Sequence, residues 1–263
     1  MIYIDNKPFD TAALLTEYAG GSTERLILNQ MASGSDSYEY DTVDELKFEL
    51  QMRRETIRAA KELNRSGFAF EVFRDSRANP DYWIRRNDGG FELRRDVKPS
   101  AAIRDIFLNG SEYGTECATA IPILYYKALL EIFPEADYDR LFDEIYLMNW
   151  HRLSRELRSS GMMQRVKDHL PGDRRYFANP DVDPRTPEWQ GENVIDLGDG
   201  RYYGHGIGIQ RGDRIIAALN GNRRPGADRE AYLMDTAGRP DFKLLARLYQ
   251  RAISASADSR QSA

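Results

Sequence analysis

The sequence holds a single cysteine, Cys117, in 263 residues. That excludes an intrachain disulfide and any zinc site built on two or more cysteines. Histidine is almost as scarce. His151, His169 and His205 are the only three, too few for a histidine-rich metal centre. No apolar run approaches the ~20 residues of a membrane span. Basic charge is not in excess: 37 Lys+Arg stand against 42 Asp+Glu, for a net charge of −5, so a nucleic-acid groove is not expected. The opening MIYIDNKPFD has no basic segment followed by an apolar one, and no signal peptide is expected there. What is present is globular composition, with 41% hydrophobic and 11% aromatic residues, enough for one well-buried core at this length. Neither a membrane, a nucleic acid nor a cofactor is an expected partner, and a monomer is expected.

Helical signals dominate the first half. Residues 18–40 read as loop around a short apolar piece, Leu26 to Leu28. Thr42 and Glu45 then form a capping-box pattern, and apolar residues keep helical spacing until Gly67. Residues 68–73 read as a strand, and 82–95 as a hairpin turning at 87–90. Pro99 opens a helix that Asn109-Gly110 closes. The apolar stretch 116–133 is long enough for a buried central helix. Pro122 is tolerated only near a helix start, which places that start near Cys117. Residues 145–150 read as a strand. The second half alternates short strands with short helices near 213–219 and 241–253. Helices lead and strands follow, which favours an α+β fold over a doubly wound sheet. No linker splits the chain, and the Ser/Ala-rich tail is expected to fray.

Cys117 therefore falls at the N-terminus of a buried helix, where free N–H groups and the helix dipole favour a thiolate. A lone cysteine is otherwise a small buried hydrophobe. A nucleophilic thiol needs an acid/base partner, and the best candidates lie in 190–208. If Gly198 and Asp199 form a two-residue hairpin turn, Glu192 and His205 stand directly opposite each other on one face. A three-residue turn, 198–200, puts them on opposite faces. Glu116 either caps the helix start or acts as a second acid/base. His151 and His169 read as surface or packing residues. Residues 181–192 mimic a calcium loop but carry Thr186 where glycine is needed and prolines inside, so no metal is expected there.

The stretches AIRDIFLNG, ECATAIPILYYKAL, the Trp150-His151 pair, YFANPDVDP with W-x-GENVI, and YYGHGIGI closely resemble the spore-coat transglutaminases of spore-forming bacteria, protein-glutamine γ-glutamyltransferases of the Tgl type. The resemblance runs from about Asp41 to Leu248. It implies a papain-like core of the NlpC kind, with the nucleophile at the start of a central helix packed on an antiparallel sheet. It implies a single catalytic domain over 1–251, with a variable part at 1–40 and a disordered tail at 252–263. It implies calcium-independent joining of Gln to Lys side chains across spore-coat proteins, by an enzyme made in the cytoplasm and acting at the spore surface. Position by position, the nucleophile falls on Cys117, the acid/base carboxylate on Glu192, the histidine on His205 and a partly redundant carboxylate on Glu116. The aromatic tunnel around the thiol falls on Phe70, Trp150 and Trp189. The residues alone leave open whether Glu192 or His205 is the base. They also leave open a cysteine peptidase or amidase on the same core, or a non-catalytic coat protein.

Overall fold

The computed structural model describes residues 1–150 and 152–261, with side chains as far as Ala255. Residues 18–40, expected as loop, hold a helix and a strand. Strands β1 (Ile2–Ile4) and β2 (Lys7–Pro8) precede helices α1 (Ala12–Thr16) and α2 (Thr23–Ser33), and β3 (Tyr38–Tyr40) runs parallel to β1. The apolar piece at 26–28 belongs to α2. Ser22 caps that helix by accepting from the Arg25 N–H, and Ile27, Leu28 and Met31 point inward as one face. Three apolar residues in a row hid this helical spacing.

Helix α3 (Val43–Leu63) starts as the capping box predicts. Thr42 Oγ1 accepts from Glu45 N–H at 3.2 Å, and the Glu45 carboxylate reaches back to Asp41 N–H at 2.7 Å. Only Ala69–Phe70 of the expected strand pairs, as β4. Strands β5 (Trp83–Arg85) and β6 (Phe91–Leu93) form the expected hairpin. Helix α4 (Pro99–Leu108) has Pro99 in its first turn, where its missing N–H costs nothing. Strand β7 (Gly114–Thr115) pairs with β4 and leads into α5 (Cys117–Ile132). Helix α6 (Glu135–Leu141) and β8 (Tyr146–Leu147), which pairs with β6, complete this half.

The second half builds one antiparallel sheet. Its strands are β9 (Arg174–Ala178), β10 (Gly191–Asp196), β11 (Arg201–Gly204), β12 (Gly208–Arg211) and β13 (Tyr232–Leu233), in the order β12-β11-β10-β9-β13. Helix α7 (Gly212–Asn220) follows β12, and α8 (Phe242–Gln261) runs past the boundary expected near 253. One face of the sheet packs Ile195 and Tyr203 into the main core with α5; the other packs Phe177 and Val194 against Ile215 and Leu219 of α7. Thus the structure mixes helix and sheet, with a buried helix laid across an antiparallel sheet. No described helix is long and apolar enough to cross a membrane.

A buried ion network ties the N-terminal half to β9. Arg53, 1% exposed, donates to Glu49 and Asp173, both at 2.8 Å, and Arg239 shares Asp173 at 2.7 Å. The charges are paired and hydrogen-bonded, which is what makes them tolerable inside. Asp173 is thereby fixed at the entry to β9, and with it Arg174 and Tyr176 beyond.

Candidate active site

Cys117 is the first residue of α5, and Glu116 is its N-cap. The Glu116 carboxylate accepts from Ala118 N–H at 2.6 Å, Thr119 N–H at 2.7 Å and the Thr119 hydroxyl at 2.6 Å. Of the two roles left open for Glu116, capping is the one its contacts occupy. A consequence follows for any oxyanion: the N–H groups of Ala118 and Thr119 are already engaged, so donors must come from elsewhere. Burial still pushes the Glu116 carboxyl up, against the downward pull of these bonds.

Across from Cys117 lies β10. The β10–β11 ladder pairs Ile195 with Tyr203 and Val194 with Gly204, and Leu197 N–H bonds to Arg201 C=O. The turn therefore holds three residues, Gly198 to Gly200, with both glycines at positive φ. This register overturns the direct Glu192–His205 pairing: the two fall on opposite-face positions. What the register places toward α5 is Asn193, beside Tyr176 of β9. Asn193 Nδ2 points to Cys117 Sγ at 3.7 Å, and its backbone N–H also favours the sulfur's charged form.

Glu192 nevertheless faces the thiol around the strand's end. Glu192 raises the proton affinity of the thiol, while the thiol lowers that of Glu192. Burial pushes the Cys117 thiol up, with Glu192 and Glu116 adding to it. Burial and then Glu116 push the Glu192 carboxyl well above the usual carboxylate range, while the thiol of Cys117 opposes this. Glu192 Oε1 is buried without a hydrogen-bond partner. Such an oxygen carries a desolvation cost that a substrate donor would relieve.

His205 is 3% exposed and its ring is fully used. Nε2 lies 2.9 Å from Ala69 C=O and Nδ1 lies 3.2 Å from the Tyr203 hydroxyl. Burial lowers its pKa to about 4, so its imidazolium form is disfavoured at neutral pH. The ring also packs on Phe68, centroids 4.8 Å apart. His169 pairs with the exposed Asp235 at 3.0 Å, away from the thiol. His151 lies outside the described residues.

Two of the cavities that Phe70 borders hold the candidate residues Cys117 and Glu192. The larger, about 410 Å³, is lined by Cys117, Glu116, Tyr176 and Asn193 among others. The smaller, about 70 Å³, is lined by Glu192, His205 and Trp189. Phe70 and Glu188 border both. Phe70 is held by Gly206: a Cβ there would lie 2.8 Å from the ring. Trp150 is not among the residues lining these two cavities. The Arg174 guanidinium lies over its ring, 3.9 Å from the centroid. Asn193, Tyr176 and Arg174 went unnoticed in the sequence. The three-residue turn was the one available signal for Asn193, because it reverses the face of every β10 residue. A buried arginine in β9 leaves no such trace.

The family model described as "Protein-glutamine gamma-glutamyltransferase" matches residues 1–249. The chain belongs to this family. Similar relatives include protein-glutamine gamma-glutamyltransferases from Bacillus cereus (strain 03BB102) and Bacillus anthracis (strain CDC 684 / NRRL 3495), each 45% identical over 233 residues, covering 88% of this chain and 83% of the relative. A similar solved structure is a transglutaminase from Geobacillus stearothermophilus lacking its C-terminal extension. It has a TM-score of 0.74 and 44% identity, and the match covers 79% of this chain and 98% of that one. The family assignment makes the chain an acyltransferase whose substrates are proteins carrying Gln and Lys side chains. It also fits the start of the match at residue 1, since the first forty residues form a folded part of the same body.

Proposed function

We propose that Cys117 is the nucleophile and Glu192 the acid/base of a thioester acyl transfer. The observation that carries this is the contact between the only thiol and a buried carboxyl, each lining one of two cavities that share Phe70. The thiol draws the Glu192 carboxyl toward its charged form, and the carboxylate serves as base. Glu192 takes the Sγ proton as sulfur attacks the γ-carbonyl of a Gln side chain. The C–N bond then breaks, Glu192 returns the proton to nitrogen, and ammonia leaves behind a thioester. A neutral Lys ε-amine attacks that carbonyl and Glu192 accepts its proton. The C–S bond breaks, and the departing sulfur recovers the proton from Glu192, leaving an ε-(γ-glutamyl)lysine bond. The Asn193 donors are placed to stabilise negative charge beside Cys117. The larger cavity receives the Gln side chain at the thiol. The smaller, walled by Trp189, receives the apolar lysine stem beside Glu192.

This reading takes the core as papain-like, of the NlpC kind, on the strength of a thiol opening a buried helix that crosses an antiparallel sheet. It takes the reaction as calcium-independent, because Asp181 and Asp183 of the calcium-like loop are occupied by arginines. The spore-coat setting rests on the sequence resemblance alone. This reading also takes the enzyme as a monomer. The test is amine incorporation into a Gln-rich protein with a fluorescent primary amine. Cys117→Ala should fold and be inactive, and iodoacetamide should abolish wild-type activity at one site. Cross-linking retained by folded Cys117→Ala would remove this mechanism.

A further inference from the structure

Arg174 is a buried cation without a carboxylate. It is 2% exposed, and among the described residues no Asp or Glu lies within ion-pair distance of it. Its neighbours in the fold are treated differently: Arg53 and Arg239 share Asp173, the residue just before it. The Arg174 guanidinium instead donates from Nη1 to Asn193 Oδ1 at 3.2 Å and from Nη2 to Gly161 C=O at 3.2 Å. Its Nε is buried with no partner. The fork lies over the Trp150 ring, and a Cβ on Gly238 would stand 2.6 Å from Nε. An unpaired buried charge is costly. A protein keeps such a charge where it meets an opposite one during function.

The geometry points to that opposite charge. Arginine only donates, so the Asn193 oxygen must face Arg174 and the amide nitrogen must face away. It faces Cys117 Sγ at 3.7 Å. Trp150, Arg174, Asn193 and Cys117 thus form one chain of contacts ending on the sulfur. The other groups acting on the sulfur are Glu192 of β10 and Glu116 before α5, both adverse to a thiolate. The nearby tyrosines, Tyr176 of β9, Tyr203 of β11 and Tyr125 of α5, are held neutral by burial.

We propose that Arg174 is a positioning residue for the acyl transfer, fixing Asn193 as a donor to Cys117 Sγ and supplying the buried counter-charge of the thiolate. The proposal rests on Cys117 being the nucleophile. Trp150 enters it as the platform of the guanidinium rather than as a wall of the substrate path.

Cys117 is the only thiol, so iodoacetamide labelling of the full chain reads it directly, without any turnover. The rate is measured against pH for wild type, Asn193→Ala, Arg174→Met and Arg174→Lys, with circular dichroism confirming the fold. The expected result is a midpoint for labelling at least one unit higher in Asn193→Ala and Arg174→Met. That is a tenfold slower rate at a fixed pH below it. Arg174→Lys keeps the charge and should recover part of the shift. In turnover, kcat should fall while KM for the Gln substrate holds. A purely structural role would leave Lys no better than Met. An unchanged midpoint in folded Asn193→Ala overturns the relay, and so does equal failure of Lys and Met. Should the Arg174 variants not fold, Asn193→Ala alone decides. Retained cross-linking by Cys117→Ala would sink the nucleophile assignment, while the labelling midpoints would still report on Arg174.

Discussion

A Cβ on Gly204 would stand 2.7 Å from Oε1 of Glu192 and 2.9 Å from its Cγ. The bare backbone of β11 is therefore what lets a carboxylate on the far face of β10 turn toward Cys117. Gly204 has an ordinary negative φ, so alanine is conformationally acceptable there. Gly204→Ala should fold with a modest overpacking cost of ~1–3 kcal/mol. It should lose about tenfold or more in kcat, up to the ~10²–10⁴ expected when a general acid/base is removed outright. Steady-state amine incorporation with near-UV circular dichroism checks this. Full activity in the alanine variant would mean that Glu192 does not need the space Gly204 leaves.

The pH profile should expose Glu192 directly. Its carboxyl is raised well above 4.5, by burial first and Glu116 second. In the proposed mechanism the ionised form is the base, so kcat/KM should rise with pH through that elevated value and not near 4.5. Stability runs the other way. The folded state holds this proton more tightly than the unfolded one, so stability falls as pH rises from about 4.5 toward the folded value. Glu192→Gln should lose the acid limb and the activity, yet melt higher than wild type at pH 8, at about 2–4 °C per kcal/mol for a chain of this size. A lower melting temperature at pH 8 would contradict the burial argument.

His205 should behave as a strut rather than a relay. Its ring bonds Ala69 C=O and the Tyr203 hydroxyl, and its pKa is lowered to about 4. The unfolded state binds the extra proton between about 6.5 and 4, so His205 stabilises the fold above 6.5 and that contribution is lost as pH falls toward 4. His205→Gln should shift melting temperature across this window and leave the shape of the activity profile unchanged. Loss of a kinetic limb near neutral pH in this variant would reinstate His205 as an acid/base.

Much of this was legible because local signals agreed with tertiary packing. The Thr42–Glu45 box, the hairpin at 82–95 and the start of α5 near Cys117 were all marked by caps, turn residues or Pro122. Helix α2 was hidden because Leu26, Ile27 and Leu28 are consecutive, although only the last two are buried. The Glu192–His205 geometry turned on one residue of turn length. Period-two alternation makes a strand's face depend on parity, and Gly198-Asp199-Gly200 supports two- and three-residue turns alike. Arg174 was invisible because nothing local marks a charge whose partner forms elsewhere in the fold.

Chelation should leave the enzyme unchanged. Asp181 accepts from Arg229 at 2.7 Å and Asp183 from Arg185 at 2.6 Å. These bonds hold both carboxyls well below their ordinary range. Their charge is spent on arginines, so EDTA should alter neither rate nor melting temperature. A calcium-dependent rise in either would show that the arginines yield to a cation.

The balance between cross-linking and hydrolysis should rest on Trp189. It lines the smaller cavity with Glu192 and His205, while its ring packs partly against the core of α7. In the proposed mechanism water and a lysine amine compete for one thioester, and the apolar stem of lysine gains contact area on an indole that water cannot use. Trp189→Ala removes that area and opens the side on which Glu192 receives the amine proton. The expected effect is a changed ratio, with several-fold more glutamate per isopeptide, rather than an equal loss of both. Mass spectrometry of a Gln peptide under limiting lysine donor counts the two products. Wild type giving mainly glutamate under abundant amine would assign hydrolysis as the main reaction. An equal fall of both products in Trp189→Ala would leave the indole as packing for α7, with the chemistry at Cys117 untouched.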